Sequence, residues 1–398
     1  MKKALVLGGF VLAAMAASPV LAADINVKLG VLNDRSGVYA DLSGEGSVVA
    51  ARMAVDDFKA VDKGIKVEII SSDHQNKPDI ASNIARQWYD TDGVDAILDV
   101  PTSSAALAVA EITAKAGRVF INSGAASTDL TGAQCQPTTI HWTYDTAALA
   151  NGTGKAVTEA GGKKWFFLTA DYAFGHALER DTTKVVVANG GEVVGSVNVP
   201  FPATDFSSFL LQAQGSGANV IGLANAGGDT VNAIKQAAEF GITQAGQQLA
   251  ALLMFVTDVH ALGTQTAQGL NLTEAFYWDQ NDATRAWSAR FEKLHGSKPT
   301  MVQAGVYSGT MHYLRAIEAV GSTDSKKVIA SMKANGFDDP LFGKGYVRGD
   351  GRAIHDMYLF EVKKPSESTG EWDLYKQISV IKGEDAFLPM MPQCDFTK

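Results

Sequence analysis

Signatures of chemistry are scarce in this chain. No Gly-x-Ser-x-Gly occurs in its 398 residues, which removes the nucleophile elbow of α/β hydrolases. Neither Gly154-Lys155 nor Gly343-Lys344 is followed by Ser or Thr, which removes the P-loop. The first strand-like run leads into Asn33-Asp34-Arg35-Ser36-Gly37 instead of Gly-x-Gly-x-x-Gly, and Gly215-Ser216-Gly217 precedes a strand rather than opening a helix. A dinucleotide site at the usual place is therefore not expected. The seven histidines, His74, His141, His176, His260, His295, His312 and His355, show no close metal-ligand pairing, so neither a metal nor a cofactor is expected. Acidic residues are plentiful, but one sequence does not place two of them together for acid/base work. Basic runs are missing too: Lys and Arg number 34 against 43 Asp and Glu, net charge −9, and the cations are scattered singly or in pairs. Without a phosphate-tracking stripe, nucleic acid is not an expected partner.

A second long apolar run is also absent. The first follows Lys2 and Lys3, extends from Ala4 to Met15, and leads to the small-residue site Val20-Leu21-Ala22. That pattern reads as a signal peptide over 1–22, too short for a membrane span of about 20 apolar residues. No Cys follows the cut, so a lipid anchor is not expected, and the remainder should be released into the periplasm as a monomer. The two cysteines, Cys135 and Cys394, pair most simply with each other in an oxidising compartment; two free thiols are the alternative. Closing so long a loop removes roughly 4 to 5 kcal/mol of denatured-state entropy in the chain model.

What is present is alternation. The residues after the leader are enough for two domains. Strand patterns at 27–32, 65–70, 94–100 and 118–122 alternate with helical patterns at 44–61, 78–89 and 103–115. After His141-Trp142-Thr143-Tyr144-Asp145 the alternation restarts. Helices are expected at 146–160, 175–189, 205–214 and 229–240, and strands at 164–169, 192–199, 219–223, 249–254 and 269–273. Helices at 282–295, 301–320 and 325–335 follow, then a hairpin of 357–363 and 373–381. Such order implies an α/β fold of two doubly wound parallel-sheet lobes. The expected division is 24–142 plus 278–350 for the first lobe and 143–277 plus 351–390 for the second. More than one crossing between them makes a hinge, and ligands bind where the carboxyl ends of strands face the cleft.

The loops at those ends carry a distinctive set of residues. Pro101-Thr102-Ser103-Ser104 and Ser123-Gly124-Ala125-Ala126-Ser127-Thr128 are both read as opening helices, where free N–H groups favour a carboxylate; ordinary Ser/Thr capping is the other reading. The second lobe offers Asp171-Tyr172-Ala173-Phe174-Gly175, Asn225-Ala226-Gly227-Gly228 and Phe255-Val256-Thr257-Asp258. Rings with a few polar groups suit a ligand with an apolar body and one anionic end, although Tyr172 and Phe174 also suit interlobe packing. Tyr277 and Trp278 are expected to be structural.

In order and spacing these segments, with Lys28-Leu29-Gly30-Val31-Leu32 and Ser36-Gly37, resemble the periplasmic solute-binding proteins of branched-chain amino acid-type ABC transporters. The resemblance spans the chain after the leader. It implies a Venus-flytrap fold with three interlobe crossings, closure around one small carboxylate ligand, and delivery to membrane permease subunits. Carried over by position, carboxylate-binding groups fall on Ser103 or Ser104, Ala125 and Ser127, ligand-covering rings on Tyr39 and Tyr172 or Phe174, and a second-lobe contact on Asn225. The family's acidic partner for a ligand ammonium falls on Phe255, with Asp258 three residues on. An apolar residue there points to a ligand without an ammonium, such as a small aromatic carboxylate; a three-residue shift of the alignment restores the acid and an amino acid. A secreted α/β enzyme and a ligand sensor for a receptor are the competing readings.

Overall fold

The computed structural model describes residues 24–397, so the leader expected over 1–22 lies outside the described residues. The chain opens with β1 (Ile25–Asn33), α1 (Gly44–Phe58), β2 (Ile65–Asp73), α2 (Pro78–Asp90), β3 (Ala96–Asp99), α3 (Ser103–Ala116), β4 (Val119–Asn122) and β5 (Thr139–His141). The five strands form one parallel sheet in the order β2-β1-β3-β4-β5. All residues of β3 and β4 are buried, as strands covered by helices on both faces must be. β5 was not anticipated: three residues are too few to show a period.

The second half repeats the architecture. After α4 (Thr146–Leu149), α5 (Lys155–Glu159), β6 (Lys164–Ala170), α6 (Ala173–Ala188), β7 (Glu192–Val199), α7 (Ser207–Gly215), β8 (Val220–Ala224), α8 (Gly228–Glu239) and β9 (Gln248–Ala251), a parallel sheet closes in the order β7-β6-β8-β9. The helix expected over 146–160 is broken by a π turn at Ala150–Gly154. Its cause is a distant strand: a Cβ on Gly152 would collide with Thr273 Oγ1, and Thr153 Oγ1 hydrogen-bonds that same hydroxyl at 2.8 Å. The helix widens so that a neighbouring strand can approach.

Two short helices, α9 (Val256–Leu262) and α10 (Thr264–Ala267), end the strand expected over 249–254 early and lead to β10 (Asn271–Glu274). The helices α11 (Asp282–His295) and α12 (Met301–Val320) match the expected bounds, because Asn281 and Thr300 form capping boxes and Gly296 and Gly321 end each helix in the left-handed region. Beyond α13 (Ser325–Ala334) lies an unanticipated antiparallel sheet of β11 (Phe337–Asp339), β12 (Gly343–Val347) and β13 (Ala353–Ile354). The hairpin β14 (Met357–Val362) and β15 (Tyr375–Ile381) joins β10, and α14 (Gly383–Ala386) precedes the tail. No helix among the described residues is long and apolar enough to cross a membrane.

Three segments link the two sheet bodies among the described residues: 142–145, 275–281 and 355–356. In the second, Tyr277 Oη and Trp278 Nε1 donate to Trp372 O, binding both side chains into the fold. The first and third are clasped by Arg352, which is fully buried. Its guanidinium donates to Trp142 O (2.6 Å), Tyr144 O (2.9 Å) and Ala353 O (3.0 Å), stands 3.7 Å from Asp145 Oδ2, and lies over the Phe387 ring. Burial lowers its pKa to about 10, so it stays charged at neutral pH. His355 Nε2 lies 3.1 Å from Trp142 O, a second stitch between the same segments. Cys135 and Cys394 are joined as a disulfide across 259 residues, tying the tail to the loop after β4.

Replacing both cysteines by Ser is expected to lower the stability of the isolated protein by about 2–5 kcal/mol in urea unfolding. Arg352→Met takes the guanidinium from the carbonyls of Trp142, Tyr144 and Ala353 and from the Asp145 carboxylate, leaving Trp142 O only His355; the same assay should show a loss of about 3–5 kcal/mol, and an unchanged midpoint would remove the clasp from the account.

Candidate ligand-binding site

Between the carboxyl ends of the two parallel sheets lies a nearly closed cavity of about 10 Å³, room for about one water molecule. From the first body Tyr39, Leu42, Pro101, Gly124, Ala126 and Tyr144 line it; from the second come Tyr172, Phe174, Ala226, Leu253 and Phe255. Tyr39 is held by the turn before it, where Asp34 accepts from Gly37 N (2.8 Å) and Tyr39 N (2.9 Å). Its hydroxyl meets Tyr172 Oη at 2.5 Å across the cleft. The Tyr144 hydroxyl donates to Gly124 O at 2.7 Å, and its ring meets Phe255 edge-on at 6.3 Å. Burial raises the pKa of all three phenols, so they remain protonated donors at neutral pH.

Of the residues singled out in the sequence, Tyr39, Tyr172, Phe174 and Phe255 line this cavity. The hydroxyl groups are placed differently. Ser103 Oγ accepts from Ser127 N (3.2 Å), and Ser127 Oγ caps Asp129 N (3.3 Å), the capping reading of that turn. Ser104 Oγ accepts from Ala173 N of the opposite body at 3.4 Å. The loop after β4 does not open a helix as expected, only the three-residue 3-10 turn Thr128–Leu130. Asn122 causes this: its side chain takes Ala125 N (3.1 Å) and Ala125 O (2.7 Å), curling the chain before a helix can start. The Ala125 amide is thereby engaged, and its neighbours Gly124 and Ala126 face the cavity instead. Asn225 is buried, with Oδ1 accepting from Thr230 Oγ1 (2.7 Å) and Nδ2 without a partner. At the amino end of α3, Thr102 makes no side-chain bond to the first turn, so backbone donors there remain uncapped.

The position where an acid was sought holds Phe255. Asp258 is turned back on its own helix, accepting from Phe255 N at 2.9 Å, and burial pushes its pKa up to about 7. No carboxylate side chain is among the cavity's lining residues.

Beyond the lining, the two bodies touch in a polar latch. Asp181 on α6 accepts from Thr128 Oγ1 and Thr146 Oγ1, each at 2.7 Å, and pairs with Arg180. Burial opposes ionisation of Asp181, but these donors prevail and hold its pKa below the usual value. Gly227, at φ +58°, passes so close to the first body that a Cβ would lie 2.6 Å from Val38 O, and Gly228 N donates to that carbonyl at 3.3 Å. Sequence reasoning missed Tyr144, Leu42 and Leu253, and it named the loops of Pro101 and Ala226 without singling out those two residues. Tyr144 carried one signal, as an aromatic residue in the segment where the alternation restarts. No group of three or more His, Cys, Asp or Glu among the described residues is placed to hold a metal ion.

Comparison with known proteins agrees with this architecture. Residues 26–370 match the family model described as Periplasmic binding protein. A periplasmic binding protein from Burkholderia mallei is 53% identical, with a TM-score of 0.90 over 93% of this chain and 98% of that one. A branched chain amino acid ABC transporter periplasmic ligand-binding protein from Burkholderia xenovorans LB400 is 40% identical, TM-score 0.81, covering 91% and 97%. The Leu/Ile/Val-binding protein homolog 6 of Brucella melitensis is 26% identical, covering 86% of this chain and 89% of its own. An R. palustris solute binding protein in complex with 4-hydroxybenzoate, 24% identical, shares the fold at TM-score 0.81, covering 90% and 97%. With two parallel-sheet lobes, three linking segments and a family match over most of its length, the chain belongs to the periplasmic binding proteins, in the branched-chain amino acid-type branch that its sequence resembles.

Proposed function

We propose that the protein is the periplasmic substrate-binding component of an ABC importer, that it captures a small aromatic carboxylate between its lobes, and that membrane permease subunits receive the ligand. Phe255 carries this reading. It stands in the cavity wall at the position on which, by the family resemblance, an amino-acid binder's acid falls, while Asp258 is bonded to its own helix. A buried ammonium without a partner costs several kcal/mol, so a ligand carrying one is disfavoured here. The rings of Tyr39, Tyr144, Tyr172, Phe174 and Phe255 offer faces and edges to a planar ring, which the lobes must part to admit. The ligand carboxylate is assigned to the uncapped amino end of α3, with Ser103, Ser104 and Ser127 close by and Ala125 and Asn225 flanking. The R. palustris relative bound to 4-hydroxybenzoate supports the reading, since the same fold takes that class of ligand.

Function here is binding without bond making. The two lobes joined by the three linking segments turn against each other, and the ligand favours the closed arrangement because only there does it touch both lobes. The Gly227–Val38 contact and the Asp181 latch belong to closure and would be remade at each cycle.

A thermal-shift screen of residues 23–398 tests the ligand class. Benzoate or hydroxybenzoates at about 100 times the dissociation constant should stabilise the protein by roughly 2.7 kcal/mol, and leucine and valine should not. A response to the amino acids alone would return Asp258 to the site. Gly227→Ala tests closure: the new methyl collides with Val38 O, and affinity by calorimetry is expected to fall about tenfold, which is about 1.4 kcal/mol. Equal affinity in that variant would mean that ligand binding does not need the lobes this close.

A further inference from the structure

One ring outside the cavity lining touches both of the tyrosines that bridge it. Phe201, in the loop between β7 and α7, lies 4.4 Å from the Tyr172 ring centroid at 27°, and 5.4 Å from that of Tyr39. It is half-buried, one part of it covering the joined Tyr39 and Tyr172 rings and the rest reaching solvent. Phe201 is not one of the aromatic positions singled out in the sequence.

The loop that carries this ring is fixed in place by α8. Asp229, Asn232 and Gln236 are spaced three and four residues apart, which puts them on one face of that helix. Both oxygens of Asp229 accept from Ala203 N at 3.2 Å, and Asn232 Nδ2 donates to Ala203 O at 3.4 Å. Gln236 accepts from Phe206 N at 2.7 Å and donates to Thr204 O at 2.8 Å. The same helix begins at Gly228, whose N–H reaches Val38 O, one residue from Tyr39. A single rigid element therefore carries the Phe201 loop along its side and meets the opposite lobe at its tip.

The geometry points to Phe201 as a lid residue that sets how long a ligand stays bound. This rests on the ligand site proposed above. When the lobes part, Phe201 travels with Tyr172 and leaves Tyr39, so the tyrosine pair loses this cover on opening. While the lid is down, the part-buried hydrogen bond between the two hydroxyls is shielded on the side that Phe201 covers, which strengthens it. Removing the ring lets water reach that bond without deleting any residue of the cavity lining. The effect should fall on dissociation, the rate in which most affinity differences reside.

Stopped-flow fluorescence with benzoate and 4-hydroxybenzoate as probes tests this on residues 23–398. Phe201→Ala is expected to raise the dissociation rate about tenfold while the association rate stays within about threefold of wild type. Phe201→Tyr, which keeps the stacked face, should restore the slow rate, and Phe201→Leu, which keeps bulk and loses the face, should fall between. The leucine variant also carries the test if the alanine variant does not fold. Dissociation as slow as wild type in both the Ala and Leu variants would overturn the lid while leaving the ligand class intact. Failure of the wild-type protein to bind either probe would overturn the ligand class and the lid together.

Discussion

Two lobes can turn against each other reproducibly only if the segments between them are held in one arrangement, and a single buried guanidinium does much of this. Arg352 reaches two carbonyls of the first linking segment from its place just before β13, three residues ahead of the third. Its planar fork satisfies several acceptors at once, which a lysine ammonium could not match in geometry. Burying a charge this completely is costly unless it is well bonded, and here three carbonyls, a nearby carboxylate and the Phe387 ring surround it. Tyr144 belongs to this arrangement, since its carbonyl accepts from Arg352 while its ring lines the cavity. Hinge and site thus share a residue, and the shape of the cavity depends on the clasp.

The remainder of the site follows from strand ends placed opposite one another. Each lobe contributes the loops after its parallel strands, and each loop is set by short-range bonds: Asp34 under Tyr39, Asn122 around Ala125, Asp258 on Phe255. Those bonds use polar groups that would otherwise point inward, which leaves a wall of rings. That wall offers no carboxylate as a partner for positive charge.

Much of the fold was legible because parallel strands buried on both sides read as apolar runs, and because caps such as Asn281 and Thr300 mark where helices begin. The rings at Tyr172, Phe174 and Phe255 stood out as aromatics in loops after strands, with interlobe packing as the other reading for the first two, and Tyr39 came from the family resemblance; all four line the cavity. What could not be read was direction. Ser103 and Ser127 have the right chemistry at the right strand ends, but one receives the other's backbone N–H, a contact between residues 24 positions apart. Phe201 was invisible because its meaning lies in two rings brought to it by different lobes. Short strands such as β5 and the π turn after α4 lay below any periodicity, the latter because it answers to Thr273 more than 100 residues away.

The disulfide places one further condition on the moving parts. After β15 the tail runs over α14, where Asn151 Nδ2 donates to the carbonyls of Asp385 and Ala386, and it ends covalently fastened beside the loop after β4. The tail is therefore a strap laid across the hinge beside the three linking segments. A joint bound at several points along its width bends easily about one axis and resists twisting about the others. With the cysteine pair joined, the strap thus narrows the set of paths by which the cleft can open.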